Sequence, residues 1–388
     1  MRINNITAGI VLASLATSVS AVEVTLPAIS VVLDGYYQDG ERALGSREDG
    51  FGLGETELAL SGSIDDLFYG KLTTVIATQD SDTEVELEEA FIQTLALPAG
   101  FSVRAGRFLA DFGYLNNQHL HSDAFVERPV VYRAFLGGHY FDDGVRLNWV
   151  APTDTYWTLG IEAFDGESLQ ADEFEDPDSV GVYHAYTKFG GDIGTSHSWQ
   201  LGLSYLHNAN GEASLEEHEE EEHEHDEDEE SGHNHGATFS GETLYGVDAV
   251  YKWAPNGNYK NNYLTVSAEY LQLEDLYQED EAGLPDDHSG WYLSSVYQVN
   301  PNWSVGLRYG ELDAAMAHEE EHEGEHELHI ESGKVKETDF MVAWHHSHFS
   351  TIRLQYSDID DELFDSKDDQ IISLQFIMAL GAHGAHQF

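Results

Sequence analysis

Nine histidines set among carboxylates are the residues of this sequence best placed to do chemistry. Five of them, His218, His223, His225, His233 and His235, lie in or just after the run EEHEEEEHEHDEDEE at 216–230. The other four, His318, His322, His326 and His329, lie in HEEEHEGEHELH at 318–329. Imidazole with carboxylate is a ligand set for Zn²⁺, and also for Ni²⁺, Cu²⁺ or Co²⁺. The first run holds twelve carboxylates, three histidines and no basic residue. Its histidines have no fixed geometry, which predicts several weak, exchanging sites rather than one closed tetrahedral site. In the second run, spacings of four, four and three residues would put the imidazoles on one face of a helix, although Gly324 opposes a stable free helix. The carboxylates would concentrate cations within a screening length of roughly 8 Å. A metal ligand must be neutral imidazole, so capture should fade as pH falls through about 6.5. The competing reading is a solvated acidic fringe with incidental histidines; nine histidines in two short runs argue against it.

Neither run can form a packed core, because burying unpaired carboxylates is too costly. Both are therefore expected to interrupt a structured scaffold. That scaffold is legible from the remaining residues. The chain has 388 residues, no cysteine, 36 glycines and 12% aromatics, and its formal net charge is -55. Such a charge makes nucleic acid and acidic membrane surfaces poor partners and cations natural ones. Without cysteine there are no disulfides, thiolate metal sites or thiol nucleophiles, and no nucleophile elbow or other catalytic spacing is present, so no enzymatic activity is expected. Met1-Arg2, an apolar stretch over 6–19 and the small residues Val19-Ser20-Ala21 form a secretory signal over 1–21. The rest, 22–388, is expected to be a single domain.

From Ile29 onward, segments of about ten residues alternate in polarity, as in Val145-Arg-Leu-Asn-Trp149, Leu201-Gly-Leu-Ser-Tyr205 and Ile352-Arg-Leu-Gln-Tyr356. In an exported chain, an apolar outer face with a polar inner face is the pattern of an all-β transmembrane antiparallel barrel in the outer membrane of a Gram-negative bacterium. Sixteen strands are expected, beginning near 29, 53, 67, 84, 101, 143, 155, 179, 197, 239, 262, 289, 303, 337, 350 and 369. Short turns such as Pro98-Ala-Gly100 and Asn300-Pro-Asn302 alternate with long links, which is the periplasmic–extracellular asymmetry of such barrels. The acidic histidine runs both fall on the long-link side, at 208–238 and 313–336, and should face the cell exterior.

The third long link, 109–140, mixes aromatics, Pro129, two arginines and three histidines. It can fold inward, so that His119, His121, Asp123, Glu127, Arg128, Arg133 and His139, with the nearby Arg107, constrict the pore and impose a transverse field; the alternative is an outward cap. At the opposite end, His345, His346 and His348 occupy a periplasmic turn near His383 and His386. If adjacent, these five could receive metal at the inner mouth.

Val103-Arg-Ala-Gly106-Arg107-Phe108, Asp111-Phe112-Gly113, Glu127-Arg128-Pro129 and Asp142-Asp-Gly144-Val145 together resemble the phosphate-selective porin O and P superfamily, mainly over 50–150. The resemblance implies sixteen strands, an inward third loop and a homotrimer. Phosphate is not carried over as substrate, because only 17 basic residues face 72 acidic ones. The histidine-rich loops and the ending Gly381-Ala-His383-Gly-Ala-His386-Gln-Phe388 resemble a His-rich branch of zinc-regulated outer-membrane proteins, some of them labelled TonB-dependent receptors. The expected function is passive uptake of a divalent metal, foremost zinc, captured by the external loops and passed through the lumen. No cofactor is required; Zn²⁺ is the bound and transported ion. Outer-membrane lipid, divalent metal ions and a periplasmic metal-binding protein are the partners this reading calls for. The alternatives are a TonB-dependent zinc receptor, for which sixteen strands leave no room for a plug, and a general or anion-selective porin with metal-buffering loops.

Overall fold

A computed structural model describes residues 27–79, 82–171, 179–212, 237–277, 285–322, 325–364 and 368–381. His218, His223, His225, His233, His235, His383 and His386 lie outside these residues, as does the signal segment. Seventeen strands are described: β1 (Ala28–Asp39), β2 (Gly50–Leu53), β3 (Thr56–Ser63), β4 (Phe68–Gln79), β5 (Asp82–Thr94), β6 (Phe101–Leu109), β7 (Phe141–Val150), β8 (Tyr156–Phe164) and β9 (Val182–Ile193), then β10 (His197–Asn208), β11 (Thr243–Trp253), β12 (Tyr263–Glu274), β13 (Asp287–Asn300), β14 (Trp303–His322), β15 (Glu325–Ser347), β16 (Ser350–Asp361) and β17 (Gln370–Gly381). β2 and β3 both pair with β1, at Gly35–Gln38 and Ala28–Val32 respectively, so they are one stave broken at Gly54-Glu55. Antiparallel pairing of β17 with β1 closes a sixteen-stave barrel. Closure leaves no unpaired edge, which is what allows a sheet to sit in hydrocarbon.

The alternation in the sequence sets the two faces. Val145 and Leu147 point out while Arg146 is buried; Leu201, Leu203 and Tyr205 are exposed, as are Ile372, Leu374 and Phe376, while Ser373 and Gln375 are buried. An apolar exterior with a hydrogen-bonded polar interior inverts the arrangement of a water-soluble domain, and lipid is its natural solvent. Aromatic rings in contact, Phe101 with Trp149, Trp149 with Trp157 and Trp157 with Phe189, line the short-turn end of the outer face. Tyr205 with Tyr245 and Trp291 with Tyr309 occupy the opposite end, giving the two interfacial belts expected of a spanning barrel.

Ser30 pairs with Gly381, so both described ends of the chain lie at one rim, together with the short turns. The second acidic histidine run departs from expectation. It is neither a helix nor a loop that interrupts the wall: β14 and β15 continue through it in unbroken register, with His318 opposite His329 and Glu321 opposite His326. The strand expected to begin at 337 therefore begins at Glu325. A two-stranded ribbon needs no packed core, so a charge-rich sequence does not exclude it. β13 reaches only Asp313 and β16 only Val335. The ribbon beyond them stands roughly 30 Å above the wall at about 3.4 Å per residue, on the rim opposite the chain ends.

Candidate functional site

The segment between β6 and β7 folds into the barrel. Its helix α1 (Val130–Leu136) is buried at every position, capped at its end by Gly137 in the left-handed conformation. Phe112, Phe135 and Leu136 pack with wall residues Leu271, Tyr292 and Leu312 and with Phe239 from the link before β11. This apolar packing differs from an open water-filled tube: the inward loop occupies much of the interior.

Polar anchors fix the loop in place. Glu269 on β12 accepts hydrogen bonds from Tyr114 N (2.8 Å), Leu115 N (3.2 Å), the Tyr132 hydroxyl (2.8 Å) and the Tyr292 hydroxyl (2.6 Å). Gly113 must be glycine here, since its φ is +58° and a Cβ would sit 2.1 Å from the Glu269 carboxylate. Arg353 donates to the carbonyls of Asp123 and Phe125, and Arg308 donates to that of Glu127 at 2.7 Å.

Four residues expected to narrow the pore serve instead as fastenings. Arg128 pairs with Asp123 and donates to the Gln118 carbonyl; Arg133 pairs with Glu337; Glu127 lies 3.5 Å from Arg47. All four, Asp123, Glu127, Arg128 and Arg133, are buried and ion-paired, and of the four Asp123 also lines a cavity below the loop. Arg107 is a further correction. It pairs with Asp143, which shares the outward face with Val145 and Leu147, because strand parity sends residue 107 outward when Arg104 points in. Arg104 and Arg146, opposite each other in the β6–β7 register, are the inward arginines.

His119, His121 and His139 do gather inside. His119 Nδ1 lies 2.9 Å from Glu88 Oε2 and 3.5 Å from Glu57 Oε2, and its Nε2 lies 3.0 Å from Glu89 Oε2 and 2.8 Å from Lys71 Nζ. His121 Nδ1 bonds Glu57, and its ring stacks on that of His119. His139 Nε2 is 3.0 Å from Glu88 Oε1. Burial opposes charging of His119, but the carboxylates of Glu88 and Glu57 outweigh it and hold the imidazole well above its ordinary value.

The carboxylates reach this place through a register shift. Along β5, Val85 and Leu87 face lipid while Glu84, Glu86 and Glu88 alternate inward. Thr73 on β4 pairs with Glu89 and Thr74 with Leu87, leaving Glu88 as the extra residue of a β-bulge. Two consecutive carboxylates, Glu88 and Glu89, are thereby both turned into the barrel and buried. None of these glutamates was singled out from the sequence; the alternation of Glu84, Val85, Glu86, Leu87 and Glu88 was the signal that could have found three of them, whereas the bulge has no sequence signal of its own.

Below the loop, three cavities of about 520, 760 and 420 Å³ are all lined by Gln118. The first is lined by charges of both signs, Glu57, Glu89 and Asp111 with Lys71, Arg104 and Arg146, and by His119. The second reaches the short-turn rim at Pro301 and Phe349 and is basic, with Lys252, Lys260, Arg308 and Arg353 against Asp123.

His345, expected near the inner mouth, faces this second cavity, with Ser304 Oγ 2.9 Å from Nε2 and Thr351 Oγ1 3.0 Å from Nδ1. His346 lies against the outward Trp344 and His348 against Phe349. Consecutive strand residues face opposite ways, so His345 and His346 do not converge on one ion.

The sequence is 28% identical over 365 residues to an uncharacterised protein of Aquifex aeolicus, covering 87% of this chain and 70% of that protein. Among solved structures, the fold is similar to the trimer form of the outer-membrane protein OmpT of Vibrio cholerae (TM-score 0.55, 9% identity, 91% of this chain and 99% of that one). It is similar also to the outer-membrane channel DcaP of Acinetobacter baumannii (0.54, 14%, 91% and 96%) and to an anion-selective porin from Comamonas acidovorans (0.52, 11%, 92% and 99%). The family model of the phosphate-selective porins O and P matches residues 37–348. A closed sixteen-stave barrel, lipid-facing outside and carrying an inward loop between β6 and β7, is the frame of an outer-membrane channel, and this chain belongs to the phosphate-selective porin O and P family.

Proposed function

We propose that this channel takes up divalent metal ions, zinc foremost, by passive diffusion, with the acidic histidine segments gathering the ion at the outer mouth. The observation that supports the reading is the course of β14 and β15, which extend past their neighbours on the rim opposite the chain ends, in the part of the sequence that carries His318, His322, His326 and His329. The link that holds 216–230 joins β10 to β11 at that same rim. A total of 72 carboxylates against 17 basic residues supplies the attractive potential. The trimer form of OmpT makes a homotrimer the natural assembly to test, and a periplasmic metal-binding protein would be the acceptor.

The test is uptake at limiting zinc by cells whose channel lacks 212–236 and 316–332, beside conductance of the same variant in planar bilayers. Uptake is expected to fall several-fold with conductance retained; unchanged uptake refutes the capture role.

A second reading, a general or anion-selective porin whose loops only buffer metal, draws support from the basic cavity lined by Lys252, Lys260, Arg308 and Arg353. The sign of the reversal potential in a salt gradient, measured with and without micromolar Zn²⁺, separates the two.

A further inference from the structure

Surface loops need not be the metal ligands that matter most in this protein. Inside the barrel, ligand atoms of Glu57, Glu88 and His119 lie within 4.8 Å of one another, and those of Glu55, Glu88 and His139 do the same. The two triads share Glu88, whose Oε2 faces His119 and whose Oε1 faces His139. They draw on the β3 stave, the bulge of β5 and the inward loop, three parts of the chain that only the closed barrel brings together.

Four observations point to a ligand. Glu57, Glu88 and Glu89 are 4%, 1% and 4% exposed, and Lys71 is the single fixed cation among them. Three carboxylates less one ammonium leave two negative charges; a protonated His119 offsets one of them, and a divalent cation that takes the place of its proton would offset both. Second, Glu88 Oε1 is buried and accepts no well-aligned hydrogen bond, although His139 Nε2 is 3.0 Å away. A buried carboxylate oxygen beside an imidazole but out of hydrogen-bond alignment with it can serve as a coordination position.

Third, the imidazole is oriented as a metal ligand is. Once its proton is displaced, His119 Nδ1, 2.9 Å from Glu88 Oε2 and 3.5 Å from Glu57 Oε2, is the ligating atom, while Nε2 is held between Glu89 Oε2 at 3.0 Å and Lys71 Nζ at 2.8 Å. A carboxylate behind the ring fixes the tautomer and raises the basicity of the ligating nitrogen. The turn that holds it is rigid, since Ser122 Oγ donates to the His119 carbonyl at 2.7 Å and Arg128 donates to the Gln118 carbonyl. Fourth, Glu57, Glu89 and His119 line the 520 Å³ cavity, so a coordination position remains open to that space. Three protein ligands and an open position describe an exchanging site rather than a sealed structural one. Imidazole in the set excludes a preference for Mg²⁺ or Ca²⁺ and favours Zn²⁺, Co²⁺ or Ni²⁺.

We therefore infer that Glu57, Glu88 and His119 form a divalent transition-metal site between the inward loop and the wall, with Glu55 and His139 as an adjoining set on the outer side. Glu86 and Glu84, one and two strand periods above Glu88 on the inward face of β5, lead from the outer rim to it at steps of about 6.8 Å. The inference deepens the uptake reading by naming an interior stop for the ion, but the binding itself is measured without transport.

The experiment uses full-length protein in detergent, lacking 213–236 and carrying His318→Ala, His322→Ala, His326→Ala and His329→Ala, so that surface ligands do not mask the interior. Zn²⁺ binding is measured by equilibrium dialysis, and the visible absorption of bound Co²⁺ reports the ligand field. One ion per chain is expected, with affinity at least tenfold weaker in Glu88→Gln and in His119→Ala and the Co²⁺ spectrum changed in the latter. Folding of each variant is checked by its unheated migration in SDS, and Glu57→Gln substitutes for any variant that fails this check. Absence of a bound ion in the loop-depleted protein, or equal binding by the variants, overturns the site. Interior binding that persists while cells with loop deletions take up zinc normally defeats the capture role alone.

Discussion

Removing the Glu269 carboxylate should free the inward loop, and the size of the effect can be worked from its contacts. Glu269 accepts two backbone N–H bonds from Tyr114 and Leu115 and two hydroxyl bonds from Tyr132 and Tyr292, and it is 3% exposed. Hydrogen bonds to a charged group contribute about 1.5–3 kcal/mol each. The four do not add, because cavity water can reach the freed amides of Tyr114 and Leu115, which border the lower cavities. A net loss of about 3–5 kcal/mol is the expectation for deleting one partner of a buried charged network. That shifts the ratio of docked to undocked loop by a factor of about a hundred to several thousand. Glu269→Ala should therefore show larger and noisier single-channel currents in planar bilayers, with a lowered unfolding temperature. Glu269→Gln, which keeps an acceptor oxygen, should fall between Ala and the parent. Conductance, noise and thermal unfolding all equal to the parent would show that the loop is held by its apolar packing alone.

Two further outcomes test the frame and the selectivity. Leu374→Arg, on the outward face of β17, should destabilise the barrel by about 2–4 kcal/mol in refolding from urea into lipid if residue 374 lies near the bilayer midplane, whereas Ser102→Arg, which lines the first cavity, should cost far less. Lys260→Glu, in the basic lower cavity, should move the reversal potential toward cation preference; no shift would place the selectivity-determining charge elsewhere, nearer Arg104 and Arg146.

Much of the frame was legible because a lipid-facing wall imposes a period of two and a turn at every rim. The alternation from Glu84 to Glu88 in β5, or Arg146 between Val145 and Leu147, suffices to say which side chains face hydrocarbon. The rhythm of short turns and long links likewise gave sixteen staves and the rim past which β14 and β15 extend. The ribbon at 318–329 was not expected because a run unable to form a packed core should interrupt the scaffold, whereas a strand pair can continue past the wall without a core.

The inward loop marks where local reading ends. Its aromatics and Pro129 announced a segment able to pack, but not which charges would face solvent. Arg133 meets Glu337 across 204 positions of sequence, and Arg353 reaches Asp123 across 230; residues so paired look, in the sequence, the same as residues that would line a pore. The inward direction of Glu88 and Glu89 together depends on one unpaired residue in the β4–β5 register. Composition and periodicity thus determined a charged, exported barrel and the membership of its two faces, since those follow from solvent on either side of a strand. Tertiary structure alone decided which inward groups meet, because a hydrogen-bonded register and the closure of the sheet, not nearness in sequence, set the distance between His119 and Glu57.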